Sequence, residues 1–491
     1  MTTDLIVAET WTLIGAHLGR AAALTFWETL RATRIPVALG WGLLETASQG
    51  SRPSAAGGTT SPFFATSFQN REECMTSILS YRRSMLLAGV LGLLMTVGPA
   101  VAQAPPGFSP LDKTKPAESK QDTNLKPHPT PPTVTALDKL PVDKLKLPNG
   151  FKAEVWSHGH PGARTMVRGD KGTIFMGTRL IGRVYAITDK DGKREAKTLL
   201  TGLTQPNGLE FKDGALYVFA INKVFRYDNI EDKLDNPGQP VELTDKFDLP
   251  DTVHHNWKYV AFGPDGKLYV QVGANCNVCE INPGIHGQIR RYNADGTGME
   301  IVARGVRNTV GFDWHPVTKE LWFTDNGRDW AGNDGPSDEL NRVAKGQEGA
   351  FYGFPYCHAN GIPDPDIKKP NPCQGVTLPA ALTGPHAGGL GIKFYTGNMF
   401  PKTYQNQAFI ARRGSWNREK KFGYDVALAR ITGGTAKIEP FMGGLLDEGK
   451  NEFYGRPTYV LQAPDGALLV SDEQNGAIYR ISYGAPKTAG R

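Results

Sequence analysis

Three short stretches between His254 and Arg328 carry residue types suited to one kind of chemistry. His255 opens the run His255-Asn-Trp-Lys-Tyr-Val-Ala-Phe-Gly-Pro-Asp-Gly, and Arg307 and Asn308 close Gly305-Val-Arg-Asn. The third stretch is an acidic glycine turn, Thr324-Asp-Asn-Gly-Arg, with Asp325, Gly327 and Arg328. Histidine has an unperturbed pKa near the working range and is the natural base for taking a proton from a hydroxyl. A guanidinium stays charged and donates in a fixed fork, which suits a centre where negative charge develops. Together they suit a reaction that removes a proton and stabilises a new anion. The plainer alternatives are a turn histidine and an Arg-Asn pair that only braces loops.

Residues so far apart in sequence must be brought together by the fold. Gly 57 and Pro 35 point to many turns, with aromatic and β-branched runs between them. One phrase recurs, a turn followed by a small apolar strand. It appears as Gly172-Thr-Ile-Phe-Met, Asp213-Gly-Ala-Leu-Tyr-Val and Asp265-Gly-Lys-Leu-Tyr-Val. It returns as Thr318-Lys-Glu-Leu-Trp-Phe, Asn406-Gln-Ala-Phe-Ile-Ala and Asp465-Gly-Ala-Leu-Leu-Val. Several copies precede a second strand carrying a basic residue, such as Lys223-Val-Phe-Arg-Tyr and Gly476-Ala-Ile-Tyr-Arg-Ile. Six copies predict an all-β, six-bladed β-propeller, whose loops on one face gather around the axis. The gap between the fourth and fifth copies, from Gly327 to Tyr404, predicts long loops over the pocket mouth.

The propeller is expected over residues 147–491. Ahead of it, Tyr81-Arg-Arg-Ser, the apolar run from Met85 to Val97 and Pro99-Ala-Val-Ala-Gln-Ala have the form of a secretory signal. The expectation is an upstream extension over 1–74, a signal peptide over 75–104 and a Pro/Lys-rich disordered linker over 105–146. An exported chain would be periplasmic or secreted. Cys74 falls in the leader; Cys276 with Cys279 and Cys357 with Cys373 form two local pairs, for which disulfides are expected over a zinc site.

The segments His255…Val-Ala-Phe-Gly-Pro-Asp-Gly-Lys-Leu-Tyr-Val, Ala303-Arg-Gly-Val-Arg-Asn, Asp338-Glu-Leu-Asn341 and Gly349-Ala-Phe-Tyr-Gly-Phe-Pro resemble the L-sorbosone dehydrogenase family. So do Phe394-Tyr-Thr-Gly, Arg413-Gly-Ser-Trp-Asn-Arg and Gly455-Arg-Pro. That family is similar to soluble glucose dehydrogenases whose six-bladed propeller holds pyrroloquinoline quinone (PQQ) and calcium. The resemblance covers the body from about Pro148 onward and implies His255 as base and Arg307 facing the quinone oxygen that gains charge. It implies Asn308, Lys393, Arg412, Arg413, Trp416, Arg418 and Arg456 around the tricarboxylate cofactor, since arginine forks both neutralise and orient carboxylates. Gln205 and Asn207 match a loop that reaches substrate in the relatives. His254 stands where the glucose enzymes place a base-orienting aspartate. For calcium, the resemblance implies backbone carbonyls of Gly327 and Arg328, with Asp325, Asp338 or Glu339 adding carboxylates.

The resulting expectation is an exported PQQ- and calcium-dependent dehydrogenase acting on an aldose or sugar aldehyde. A diffusible acceptor would take the electrons, since the chain carries neither Cys-x-x-Cys-His nor a dinucleotide glycine fingerprint. A calcium-dependent lactonase on a similar propeller and a non-catalytic binding propeller are the alternatives. The formal charge of +6 is spread among acidic residues, which speaks against a nucleic-acid partner.

Overall fold

Each copy of the repeated phrase becomes the second strand of an antiparallel sheet. These strands are Ile174–Gly177, Ala215–Ala220, Leu268–Val272, Leu321–Asp325, Ala408–Arg412 and Leu468–Asp472. The computed structural model describes residues 132–484. The expected upstream extension, the export segment and the first part of the linker lie outside the described residues. Six sheets form the blades of a six-bladed β-propeller, five of four strands and one of five. The innermost strands are Met166–Arg168, Gly208–Lys212, Val260–Phe262, Gly311–Trp314, Gly389–Phe394 and Pro457–Gln462.

Second strands are buried on both faces because neighbouring blades cover them. In blade 2, Leu216 and Val218 pack toward blade 1 with Val167, Phe175 and Val184. Their alternates Tyr217 and Phe219 pack toward blade 3 with Leu268, Val270 and Val272. A side-chain period of two thus serves two interfaces at once, which is why these strands read as continuous apolar runs. Helix is confined to the single turn Thr244–Phe247 and short 3-10 segments among the described residues.

The ring closes by pairing the first long strand, Phe151–His158, with Ala477–Tyr483 as the outer strand of blade 6. Phe151 lies with ring centroids 4.7 Å from Phe400, 5.1 Å from Phe441 and 4.9 Å from Tyr483. The linker expected up to residue 146 is shorter than its composition suggests. Leu137–Lys139 and Pro141–Lys144 form 3-10 turns, and Lys146 bridges to Gly443. Leu140 is buried, with Val142, Leu145 and Leu147 packed on the same core between blades 5 and 6. Spaced apolar residues anchor a segment whose Pro, Lys and Asp content hides them.

Residues 344–380 connect the third and fourth strands of blade 4 and climb the outer edge of blade 3. There Ala350–Phe351 pairs in parallel with Ala303 and Arg304. The Cys357–Cys373 disulfide closes the excursion, and Cys276–Cys279 closes a tight ring in blade 3. Removing the Phe151 ring should cost about 3 kcal/mol, the scale of a large-to-small change in an aromatic cluster. Urea unfolding of Phe151→Ala should show that loss, and an unchanged midpoint would mean the closing strand adds little.

Candidate functional site

Strands alternate direction, so two loops per blade reach the same face: the loop entering the first strand and the turn between the second and third. His254, His255, Arg307, Asn308, Gln205, Asn207 and Arg456 lie on incoming loops. Asp325, Gly327, Arg328, Arg413, Trp416 and Arg418 lie at or after the ends of second strands, as do Cys276 and Cys279. The topology therefore collects these residues on one face. Lys393 is the exception. It is the fifth residue of its inner strand, about 13 Å along from Gly389 at roughly 3.3 Å per residue. It pairs with Asp313 at 3.0 Å, and Glu210 and Tyr459 add to the field that raises its pKa against the lowering effect of burial. Lys393 therefore lies down its inner strand, away from the face that gathers the other residues, and not at the cofactor position the resemblance implies.

His255 is buried and has a left-handed backbone, φ 52°. Its carbonyl accepts a 2.8 Å bond from Gln271 Nε2, and Gly273 leaves room for it, since a Cβ there would come 2.2 Å from that carbonyl. Burial, then Arg307, His254 and Arg179, hold its imidazole well below the usual 6.5, so it is neutral near pH 7. The backbone of Ala274 favours the charged form but makes no hydrogen bond of normal geometry, and Nδ1 is buried without a partner. His254 is exposed beside it, with ring centroids 4.1 Å apart.

Arg307 is 3% exposed. Nε donates to Asn277 O at 2.8 Å, and Nη1 donates to Asn326 O at 3.1 Å and Gly327 O at 2.7 Å. Nη2 donates to Asn277 Oδ1 at 2.7 Å and Asp329 Oδ2 at 3.0 Å. Asp325 fixes the start of this residue: its oxygens accept the amides of Arg307 at 2.8 Å and Asn308 at 2.6 Å. Burial pushes its carboxyl up to about 6 against those bonds. Asp325 thus acts as a loop brace here, and the Gly327 carbonyl already serves Arg307. Gly327 N donates to Asp338. The Arg328 side chain turns into the insertion, 2.9 Å from Asp364, which also meets His358 at 2.8 Å. No group of three or more His, Cys, Asp or Glu among the described residues is placed to hold a metal.

The arginine loop divides. Arg412 is bound to Asp425 and Thr383 O, and Arg418 to Lys420 O, Asn333 O and Asp334. Both are buried and brace loops. Arg413 engages Glu473 through Nε at 2.6 Å and is the most exposed of the three. Arg456 donates to Gly414 O and lies over Phe453 and Tyr424. Asn207 is fully buried between Arg164 Nε and Lys258 O, so it ties blades 1 and 3 together. Gln205 has a left-handed φ of 51° and a buried Oε1 without a partner. Asn308 Oδ1 is likewise buried and unpaired.

Sequence reasoning missed several residues of this face. Arg179 lies 3.7 Å over the Trp257 ring, which itself packs against His255. Arg164 and Arg413 share Glu473; burial would raise that carboxyl, but the two guanidinium groups hold it far below its usual range. Trp330 meets Trp416 edge to face at 5.4 Å. The usable signal was positional: each lies on a loop of the kind that carries His255 or Arg413.

Glu339 lines a small cavity with Arg307, Asp325 and His358. Burial, then Asp325, pushes its carboxyl up to about 8 from an ordinary 4.5. The fold therefore holds a proton that the unfolded chain releases, and this contribution is lost as pH rises toward 8, by at most roughly 1.4 kcal/mol per pH unit. Between pH 6.5 and 8, with the histidine contribution common to both proteins, Glu339→Gln should flatten the fall in thermal midpoint of the cofactor-free protein. Parallel curves for the two proteins would contradict this.

Comparison with known proteins places this architecture. An uncharacterized protein of Borreliella burgdorferi is 33% identical over 352 residues, covering 69% of this chain and 91% of that protein. The calcium structure of the Trichoderma reesei carbohydrate-active enzyme of family AA12 aligns with TM-score 0.59 at 18% identity, covering 72% of this chain and all of that one. The holo PQQ domain of pyranose dehydrogenase from Coprinopsis cinerea aligns with TM-score 0.55 at 18% identity, covering 69% of this chain and 97% of that one. At these identities the two structures support the fold alone. Residues 145–483, most of the propeller and its closing strand, match the TrAA12-like family, and the chain belongs to it.

Proposed function

We propose that this protein is an exported dehydrogenase that uses PQQ and calcium to oxidise an aldose or a sugar aldehyde such as sorbosone, and passes electrons to a diffusible acceptor. The observation that carries this reading is the neutral His255 on the shared face, set among Arg307, Arg179 and His254. Named relatives add support: one matching structure is a pyranose dehydrogenase domain with PQQ, another an AA12 enzyme with calcium.

The residues present fit a flat, polyanionic cofactor. Arg413 engages only its Nε, Asn308 keeps a buried oxygen unpaired, and Trp416 with Trp330 offers an aromatic wall on the same face. Fewer cations serve this role than the sequence suggested, because Arg412, Arg418 and Lys393 are engaged elsewhere. Arg328, and Gly327 through the lone pair that Arg307 Nη1 leaves free, would supply backbone carbonyls to calcium, which accepts such donors. When bound, the quinone supplies the hydride acceptor.

The chain's own residues do the rest. Nδ1 of His255 is buried, so the other ring nitrogen, Nε2, takes the hydroxyl proton, and low basicity keeps the ring unprotonated and ready near neutral pH. Arg307, fixed by five donor contacts, keeps its charge at a set position where negative charge grows. An aldehyde would react as its hydrate, giving an acid.

The test adds PQQ and calcium to purified cofactor-free protein and follows dye reduction with aldoses and sugar aldehydes. His255→Asn keeps a residue tolerant of left-handed backbone. It should retain PQQ binding and lose roughly 100- to 10,000-fold in turnover. The acid limb of kcat/KM in the wild type should lie below pH 6.5, the ordinary histidine value. Lactone hydrolysis without quinone, or full turnover in His255→Asn, would overturn the reading.

A further inference from the structure

The ring closed by Cys276 and Cys279 lies directly against Arg307. Asn277, inside that ring, receives two of the five guanidinium contacts, one through its carbonyl and one through Oδ1, at 2.8 and 2.7 Å. Oδ1 also accepts the Asp329 amide at 2.8 Å, and Nδ2 donates to Asp329 O at 3.2 Å. Asp329 in turn holds Nη2 of Arg307. Asn277 therefore ties the turn after the second strand of blade 3 to the corresponding turn of blade 4, with Arg307 between them.

We infer that the Cys276-Asn-Val-Cys279 ring is a positioning device for Arg307, with Asn277 as its positioning residue. This rests on the reading of Arg307 as the cation that meets developing charge. The physical need follows from the loop. Between Leu268–Val272 and Gln288–Tyr292 the chain forms no strand, so no ladder fixes the Asn277 carbonyl. Fixing an irregular segment costs conformational entropy at every residue. A covalent ring of four residues removes most of that freedom before Arg307 binds. The fork then meets a carbonyl and an amide oxygen already in place, which a single ammonium at this position could not match. Reduction of the ring would release Asn277 and loosen Arg307, so the site should be sensitive to thiol reductants.

Two readouts test this. In the cofactor-free protein, hydrogen exchange of the Arg307 side-chain N–H groups, followed by NMR, reports how firmly the guanidinium is held. Asn277→Ala should speed that exchange about tenfold, as expected for losing a charged hydrogen bond. Asn277→Asp, which keeps the acceptor oxygen, should restore slow exchange. In the loaded enzyme, Asn277→Ala should lower kcat by roughly 10- to 100-fold with KM nearly unchanged, since a small misplacement of a catalytic group carries such a cost. With Arg307 displaced, the acid limb assigned to His255 should move to higher pH, because Arg307 is one of the charges that lowers it. Cys276→Ser with Cys279→Ser should behave as Asn277→Ala. Wild-type exchange in Asn277→Ala, or equal impairment of the Asp and Ala variants, would overturn the inference. A wild-type protein that reduces no dye would instead count against the proposed function, and the exchange measurement would still decide whether Asn277 holds Arg307.

Discussion

The site depends on a carboxylate at the end of a second strand that captures the loop entering the neighbouring inner strand. Asp325 accepts the amides of Arg307 and Asn308, and in blade 6 Asp472 accepts the amide of Arg456 at 2.8 Å. A loop turning into the innermost strand has amides that no ladder can pair, and an unpaired buried amide is costly. The aspartate answers that need, and the same bonds partly offset the cost of burying its own charge. Each arginine is consequently fixed at its backbone before its side chain makes any contact. Position on this face is set by hydrogen bonding within a blade, from its second strand to the loop entering its inner strand.

That constraint shapes the electrostatics. Arg164, Arg179, Arg307 and Arg413 crowd one face, and Glu473 lies between Arg164 and Arg413 with contacts of 3.0 and 2.6 Å. The surplus positive charge raises the cost of protonating His255 and His254, which adds to burial in keeping the His255 imidazole neutral. Basicity at His255 is governed by burial and neighbouring cations. A base of this kind is weaker, but it is unprotonated over a wider pH range.

Much of this was legible in the sequence. The six turn-plus-strand phrases mark the second strand of every blade, because that strand is apolar on both faces and must follow a tight turn. His255, Arg307 and Arg413 fall on the shared face because strand alternation puts every incoming loop and every turn after a second strand there. Lys393 was misplaced since a motif match cannot tell the start of an inner strand from its far end, where Asp313 and Glu210 wait. Arg412 and Arg418 look identical to Arg413 in sequence; their partners Asp425 and Asp334 decide their role, and those contacts are tertiary. Arg179 and Asn277 gave no local signal, since their importance lies in touching Trp257 and Arg307. Residues 132–146 were read from composition, which averages away Leu140, Val142 and Leu145, the apolar positions that dock them.

The insertion of residues 344–380 could be imagined as a lid, but its attachments argue for a fixed wall. Parallel pairing of Ala350–Phe351 with blade 3 holds one arm, and the Cys357–Cys373 disulfide holds the other. At its tip, Asp364 is 3% exposed and bound by both Arg328 and His358, while the Ala359 amide donates to Glu339 at 2.7 Å. Lifting this tip would strand the charge of Arg328, itself 1% exposed, and a broken buried pair costs about 3–5 kcal/mol. Opening by that route would be rare on the timescale of turnover. Arg328 follows Gly327, whose carbonyl holds Arg307, so the charge that pins the insertion also steadies the turn against which Arg307 is set. The wall and the site are therefore one mechanical unit.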